Sequence, residues 1–200
     1  MFDFRGPDGV WTRQEKGLPP KQMEKPLSQM EPNRGHHALA ELQKLGKLRY
    51  LISQNVDNLH LKSGIKSEIL AELHGNAFKA RCQICGRKVD KSMNLPKCMC
   101  GGRLVDSVVN FGQSLPRQEL EQSFEHSRKS DLFVVLGSSL TVTPAADLPK
   151  EALNNGSTLV IVNRDATPFD SRAHLRFTEQ VGEVMHRTVK QLKGLMGLYE

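Results

Sequence analysis

Two apolar runs with no polar break do most to set the fold class: Leu132–Leu136 (LFVVL) and Thr158–Val162 (TLVIV). Each has the length of a strand. Continuous rather than alternating apolarity predicts strands buried on both faces, as in a parallel sheet between two helix layers. Each run stops at a polar cluster, Gly137-Ser138-Ser139 after the first and Asn163-Arg164-Asp165 after the second. Leu48–Ser53 (LRYLIS) and Ser107–Phe111 (SVVNF) read as further strands. Helical patterns alternate with them. Asn33 caps a helix carrying Ala38, Leu42 and Leu45 on one face, and Gly46 ends it. Glu68–Leu73 reads as a short helix, Gln118–Ser127 as a longer one, and Pro149–Asn155 as one closed by Gly156. Val181, Val184, Met185, Thr188, Leu192 and Leu195 form the stripe of a C-terminal helix. The expected class is α/β, a Rossmann-like open parallel sheet with helices on both faces. Residues 1–32 are punctuated by glycine and proline and read as loop with short helices.

A chain of 200 residues fits one domain with a small insert, and it buries a core without disulfides. Apolar residues at 38% and charged residues at 25% exclude disordered, collagen-like and coiled-coil classes. No run approaches the roughly 18–20 apolar residues of a membrane span. Met1 leads into Phe2-Asp3-Phe4-Arg5 with no secretory leader pattern, so the expectation is a soluble intracellular protein.

The four cysteines lie together: Cys82, Cys85, Cys98 and Cys100. Two close pairs in an intracellular chain point to zinc rather than disulfides. Four thiolates close the tetrahedron and leave no position for a reacting water, so the metal is structural. The module, 79–103, also holds Lys79, Arg81, Arg87, Lys88, Lys91, Lys97 and Arg103 against Asp90 alone. That local excess equals the +6 of the whole chain. It reads either as a solvated surface or as the footprint of an acidic partner such as nucleic acid or chromatin.

The polar residues after the strands offer the candidate site. In a doubly wound sheet Ser53-Gln54-Asn55-Val56-Asp57-Asn58-Leu59-His60, Gly137-Ser138-Ser139 and Asn163-Arg164-Asp165 all fall at the carboxyl edge, where nucleotides bind. Gly137 admits close backbone approach, the serines offer hydroxyls, and Asn163 or Asp165 suits a ribose. His74, in Glu72-Leu73-His74-Gly75, has the ring chemistry of a general base. His36, His37 and His60 are weaker candidates.

These segments resemble the sirtuins, the NAD-dependent protein-lysine deacylases. The resemblance runs through DFRGPDGVWT (Asp3–Thr12), ISQNVDNLH (Ile52–His60), ELHGN (Glu72–Asn76), the cysteine pairs, VVNFG (Val108–Gly112), LGSSLTVTPAADLP (Leu136–Pro149) and IVN (Ile161–Asn163). SQNVDNLH and LTVTPAADLP look most like the nuclear, chromatin-associated branch. The resemblance implies one catalytic domain over 1–200, with a Rossmann lobe, a smaller zinc lobe, and NAD and an acyl-lysine peptide bound between them. It implies His74 as the base that deprotonates a ribose hydroxyl once the acyl oxygen has displaced nicotinamide. Asn55 and Asp57 would line the nicotinamide pocket, with Val56 adding an apolar contact and Gln54 holding ribose. Phe4 and Arg5 would lie in a loop over the cofactor. Gly137, Ser138 and Ser139 would meet phosphate and ribose, with Asn163, flanked by Arg164 and Asp165, at the adenosine ribose and Val181 near adenine. Val109 and Phe111 would wall the acyl-lysine tunnel, with Gly112 pairing to the peptide backbone. Histones would be candidate substrates and the nucleus a candidate address.

The pattern also departs from the family's. The family opens with a central strand and a Gly-rich turn that cradles pyrophosphate, and the expectation is an N-terminally incomplete domain lacking that strand. Asn58 stands where the family usually has glycine, and Gln113 where a glutamate is common. Two alternatives remain open: a mono-ADP-ribosyltransferase using the same cofactor pocket, and a non-catalytic zinc-stapled adaptor that docks on chromatin.

Overall fold

The computed structural model describes residues 13, 16–19, 25–110 and 112–198. The chain divides into two compact units, Met1–Met30 and Glu31–Glu200. In the first, the Arg13 guanidinium donates to the Pro19 carbonyl at 3.0 Å, and Leu27–Gln29 forms one 3-10 turn.

The second unit carries the α/β architecture. In chain order its elements are α1 (Arg34–Lys44), β1 (Leu51–Ser53), α2 (Leu59–Lys62), β2 (Leu70–Glu72), β3 (Lys79–Cys82), β4 (Lys88–Asp90) and β5 (Leu104–Asp106). Then come α3 (Arg117–Lys129), β6 (Leu132–Leu136), α4 (Leu148–Asn154), β7 (Thr158–Val162), β8 (Leu175–Phe177) and α5 (Val181–Leu195). β1 and β2 pair in parallel, with Ile52 opposite Ala71. β6, β7 and β8 form a second parallel sheet, with Val134 opposite Val160 and Val160 opposite Leu175. β3, β4 and β5 make a small antiparallel sheet, which is the frame of the cysteine module.

Helices cover both sides of the parallel strands, as expected. On one side α1 and α5 supply Ala38, Leu39, Met185 and Val189, against which Leu51, Leu70 and Leu136 pack. On the other, α3 and α4 supply Leu120, Phe124 and Leu148 against Ile52, Ala71 and Phe133. α1 starts where the sequence placed it. The Asn33 carboxamide accepts from the Gly35 and His36 amides, and Gly46 turns the chain out at φ 68°.

Four local expectations are corrected. Glu68–Leu73 is not a helix: a 3-10 turn over Ser67–Ile69 runs straight into β2. The segment is too short for periodicity to separate helix from strand, and parallel pairing with β1 decides it. The strand expected at Ser107–Phe111 lies earlier, at Leu104–Asp106; Ser107–Asn110 leaves the ladder because the Ser107 hydroxyl and the Val109 amide bond to Asn76 and His74. Phe111 itself lies outside the described residues. β6 is not buried on both faces, since Leu132 is 53% and Val134 38% exposed. Among the described residues β6 pairs only with β7 and β1 only with β2, so each of β1 and β6 has one unpaired edge. Leu195 falls off the buried stripe of α5 at 86% exposure, and Val189 takes a core place instead.

The uneven burial of the two strands sets an expectation for stability. Leu159 is fully buried in the β7 core, whereas Leu132 opens β6 at the surface. We expect Leu159→Ala to cost about 3 kcal/mol in urea denaturation and Leu132→Ala about 0.5 kcal/mol or less.

Candidate functional site

The carboxyl ends of β1 and β6 meet as the sequence implied, joined by that of β2, a segment the sequence suggested would be helical. His74 follows β2 and is 9% exposed. Its Nδ1 lies 3.1 Å from the Gln54 carbonyl, just beyond β1. A carbonyl only accepts, so Nδ1 carries the proton and Nε2 the lone pair. Gln54 Nε2 in turn donates to Ser138 Oγ at 3.4 Å, beyond β6. Burial lowers the His74 pKa from its ordinary value, the bond to Gln54 opposing this in part, so the ring is neutral near pH 7.

Gly75 makes this convergence sterically feasible. Its φ is 77°, and a Cβ there would sit 1.9 Å from the Ser107 carbonyl oxygen. Only glycine lets the His74 turn lie against the Ser107–Val109 segment, where the Val109 amide donates to the His74 carbonyl at 3.0 Å.

The loop after β1 is tied to itself and to the following helix. The Asn55 amide donates to Ser53 Oγ at 3.1 Å, and Asp57 Oδ1 accepts from the Leu59 amide at 3.0 Å, capping α2. Val56 offers its carbonyl to the Ala77 amide at 2.9 Å. Asn58 adopts φ 65°, the left-handed region that asparagine tolerates. Ser138 Oγ also accepts from the Leu140 amide at 3.3 Å, while Ser139 Oγ pairs with Thr141 Oγ1 at 2.9 Å. Gly137, at φ 61°, donates to the Val162 carbonyl, which sets it beside the end of β7.

The cluster after β7 is shaped by a residue that the sequence analysis did not single out. Arg176, on β8, donates to the Asn163 and Phe177 carbonyls, to the Asp165 carbonyl at 2.7 Å and to Asp170 Oδ1 at 3.0 Å. The signal was an arginine between Leu175 and Phe177 in an apolar strand. Asn163 Nδ2 bonds to the Asp165 carbonyl at 2.8 Å. Arg164 and Asp165 form only an exposed ion pair, worth little. Val181 opens α5 and packs into the α1–α5 cluster. Val109 is half-buried beside His74, and Gly112 turns at φ 79°. Phe4, Arg5 and Phe111 lie outside the described residues.

His60 and His36 pack ring to ring at 4.8 Å between centroids. Burial foremost, and His36 next, hold the His60 pKa down to about 4; burial also lowers His36. Neither ring touches the His74–Gln54–Ser138 contacts described above.

The cysteine quartet passes a geometric test for zinc. All four Sγ atoms lie within 4.8 Å of one another, with Cys82 and Cys100 at 3.5 Å and Cys85 and Cys98 at 3.7 Å. These exceed a disulfide's roughly 2.05 Å and fit the edge of a tetrahedron built on Zn–S bonds of about 2.3 Å. Backbone amides, led by Cys85, hold the Cys82 thiol down to about 6. Cys100 is pushed up to about 11: the Gly102 amide lowers it, but the surrounding sulfurs together outweigh that. Four sulfurs so crowded cannot all ionise unless a cation lies among them. Gly102 leaves the room, since a Cβ there would sit 2.4 Å from Cys82 Sγ. The donor set fits one structural zinc.

Comparison with known proteins agrees with this geometry. The model of the Sir2 family matches residues 19–144. The NAD-dependent protein deacetylase SRT1 of Arabidopsis thaliana is 38% identical over 202 residues, covering 95% of this chain and 43% of the plant protein. An NAD-dependent protein deacetylase of Oceanobacillus iheyensis is 44% identical over 158 residues, 77% of this chain and 66% of that protein. The chain thus spans less than half of the plant relative. A solved Sir2 homologue mutant in complex with ADP-ribose superposes with a TM-score of 0.80 at 32% identity, covering 100% of this chain and 88% of that one. A Sir2 structure with a deacetylated p53 peptide and 3′-O-acetyl ADP-ribose superposes at 0.74, with 32% identity, 94% of this chain and 86% of that one.

Two outcomes are expected. Cys98→Ser should carry little or no zinc by elemental mass spectrometry, against about one ion per chain in the parent. His36, His60 and His74 have folded pKa values below 6.5, so the unfolded chain binds more protons between those values and 6.5. Stability should therefore fall as pH drops from about 6.5 toward 4, His60 alone contributing on the order of 3 kcal/mol, read by urea titration at each pH.

Proposed function

The chain belongs to the Sir2 family, and on that premise we propose that it removes acyl groups, acetyl first, from protein lysines at the expense of NAD, yielding nicotinamide and O-acyl-ADP-ribose. The observation that carries the proposal is the neutral His74 ring. It is held through Nδ1 to the Gln54 carbonyl at the carboxyl ends of the strands, which makes Nε2 the basic nitrogen. NAD, when bound, supplies an activated ribose carbon with a cationic leaving group, so the protein needs position, one base and exclusion of water rather than a catalytic metal.

The same proposal assigns each site residue a role. Asn55 and Asp57 line the nicotinamide pocket and Val56 adds an apolar wall, on a loop already tied down by Ser53, Leu59 and Ala77. Gln54 orients His74 through its carbonyl and presents its side-chain amide to the ribose. Gly137, Ser138 and Ser139 face phosphate and ribose oxygens. Asn163 and the neighbouring Arg164 and Asp165, on a loop braced by Arg176, meet the adenosine ribose, and Val181 lies toward adenine. Val109 walls the path for the lysine stem, and Gly112 pairs with the peptide backbone. His74 Nε2 then accepts a proton from a ribose hydroxyl. The names of the relatives, and solved Sir2 structures bound to acetylated peptide, support the same reading.

The substrate class is a lysine-bearing flexible segment, and we place histone tails first among these, with the nucleus as the setting. The support is the likeness of Ser53–His60 and Leu140–Pro149 to the chromatin-associated branch.

The test is nicotinamide release from NAD by this chain, with and without an acetyl-lysine histone peptide, on zinc-loaded protein with a folded circular dichroism spectrum. We expect release only with peptide, and a loss of about 100-fold or more in His74→Ala. Because His74 titrates below its ordinary value, the rate should fall on the acid side only, below pH 6.5, and stay level from 7 to 8. Release that is indifferent to peptide or to His74 would overturn the reading.

A further inference from the structure

We infer that Asn76 is a positioning residue that locks the Asn55–Asn58 loop to the His74 turn, and that the Asn58 side chain is the strut through which it does so. The kinetic half of this inference rests on the deacylase reading; the mechanical half rests on geometry alone.

Asn76 is wholly buried, and every polar group it owns is used. Its amide donates to Ser107 Oγ at 3.1 Å, and its carbonyl accepts from the Ser107 hydroxyl at 2.7 Å and from the Lys79 amide at 3.1 Å. Oδ1 accepts from the Phe78 amide at 2.9 Å, which fixes which end of the carboxamide is oxygen. Nδ2 therefore points its two protons in two directions. One goes to Glu72 Oε1 at 2.5 Å, on the strand that carries His74, and the other to Asn58 Oδ1 at 2.7 Å. Glu72 is itself held by Lys79 at 3.2 Å and Lys88 at 3.5 Å, both from the cysteine module. One residue, through side chain and backbone together, thus joins the nicotinamide loop, the base-bearing turn, the Ser107 segment and the zinc lobe.

Asn58 is the informative end of this linkage. At φ 65° its backbone is in the region glycine favours, so a glycine would fit this turn. A glycine would hold the turn but offer Asn76 no acceptor. The loop would then hang on the neighbouring Val56 carbonyl–Ala77 amide bond at 2.9 Å, with one Nδ2 proton of Asn76 left buried and unpaired. Asn58 therefore adds a coupling that the glycine form lacks.

The decisive variant is Asn58→Gly, whose backbone suits the turn and whose fold is expected to be retained. Amide hydrogen exchange reads the mechanical half without any activity. The Ala77 amide should exchange about tenfold faster, while Ile161 in β7 is unchanged. For the kinetic half, the NAD KM should rise about fivefold at unchanged kcat, with the acid limb of the pH profile unmoved; a purely structural loss would lower kcat at constant KM. In an Asn76→Ser background, Asn58→Gly should add nothing further, because both remove the same bond. An unchanged Ala77 exchange rate overturns the inference whether or not the parent releases nicotinamide. A parent that releases none, with Ala77 accelerated, overturns the deacylase reading and leaves the coupling standing. Additive effects of the two substitutions overturn the strut.

Discussion

The contact on which the rest depends is the passage of Gly75 against the Ser107 carbonyl. Here the chain leaves the parallel strands for the cysteine module and, after Leu104–Asp106, returns. The approach has no room for a side chain, because an added Cβ would overlap the carbonyl oxygen at 1.9 Å. Around it lie His74 on one side, Asn76 on the other, and Val109 donating across to the His74 carbonyl. His74, the turn that supports it and Val109 are therefore placed by one backbone crossing. The two segments are held together there by the Val109 amide on the His74 carbonyl and by the paired bonds between the Asn76 backbone and the Ser107 hydroxyl.

Charge gives the same region its orientation. Glu72 is buried, with two lysines of the module against it, and Lys88 reaches on to Glu119 of α3 at 2.7 Å. Buried ion pairs of this kind add little net stability, because desolvation offsets most of their attraction. Their consequence is geometric. Removing either sign would leave an uncompensated charge indoors, so the module and α3 are held in one relation. Part of the basic excess between Lys79 and Arg103 is thus turned inward, Lys79 and Lys88 facing Glu72, while Lys91 pairs with Asp106 at the surface. Arg87, Lys97 and Arg103 are exposed alongside Lys91.

Much of the fold was legible because local rules and tertiary demand agreed. LFVVL and TLVIV became β6 and β7 at the expected residues, Asn33 capped α1, and the cysteine spacing foreshadowed four sulfurs in one cluster. Reading failed where a short segment could satisfy either period. Ser67–Glu72 splits between a 3-10 turn and a strand because β1 offers hydrogen bonds that a helix could not use. Continuous apolarity also overstated the burial of β6, whose Leu132 and Val134 face outward although the run contains no polar residue. In the candidate site, Gln54 and Ser138 were legible as strand-end polar residues, and His74 as a candidate base by its ring chemistry, although the segment before it was read as a helix. Arg176 and Asn76 were not, because their partners are backbone groups and side chains far away in sequence, a relation no spacing encodes.

By itself the sequence determined the class of fold, the metal-ligand set and the strand ends on which chemistry gathers. These follow from side-chain periodicity and ligand spacing, which act over a few residues. Only the tertiary structure decided which of those residues meet. That His74 donates to Gln54, that Gln54 reaches Ser138, and that Asn58 and Glu72 share the two protons of Asn76 depend on crossings of segments far apart in the chain. Those crossings are selected by backbone hydrogen-bond satisfaction and by Gly75, where a side chain would obstruct the approach to Ser107.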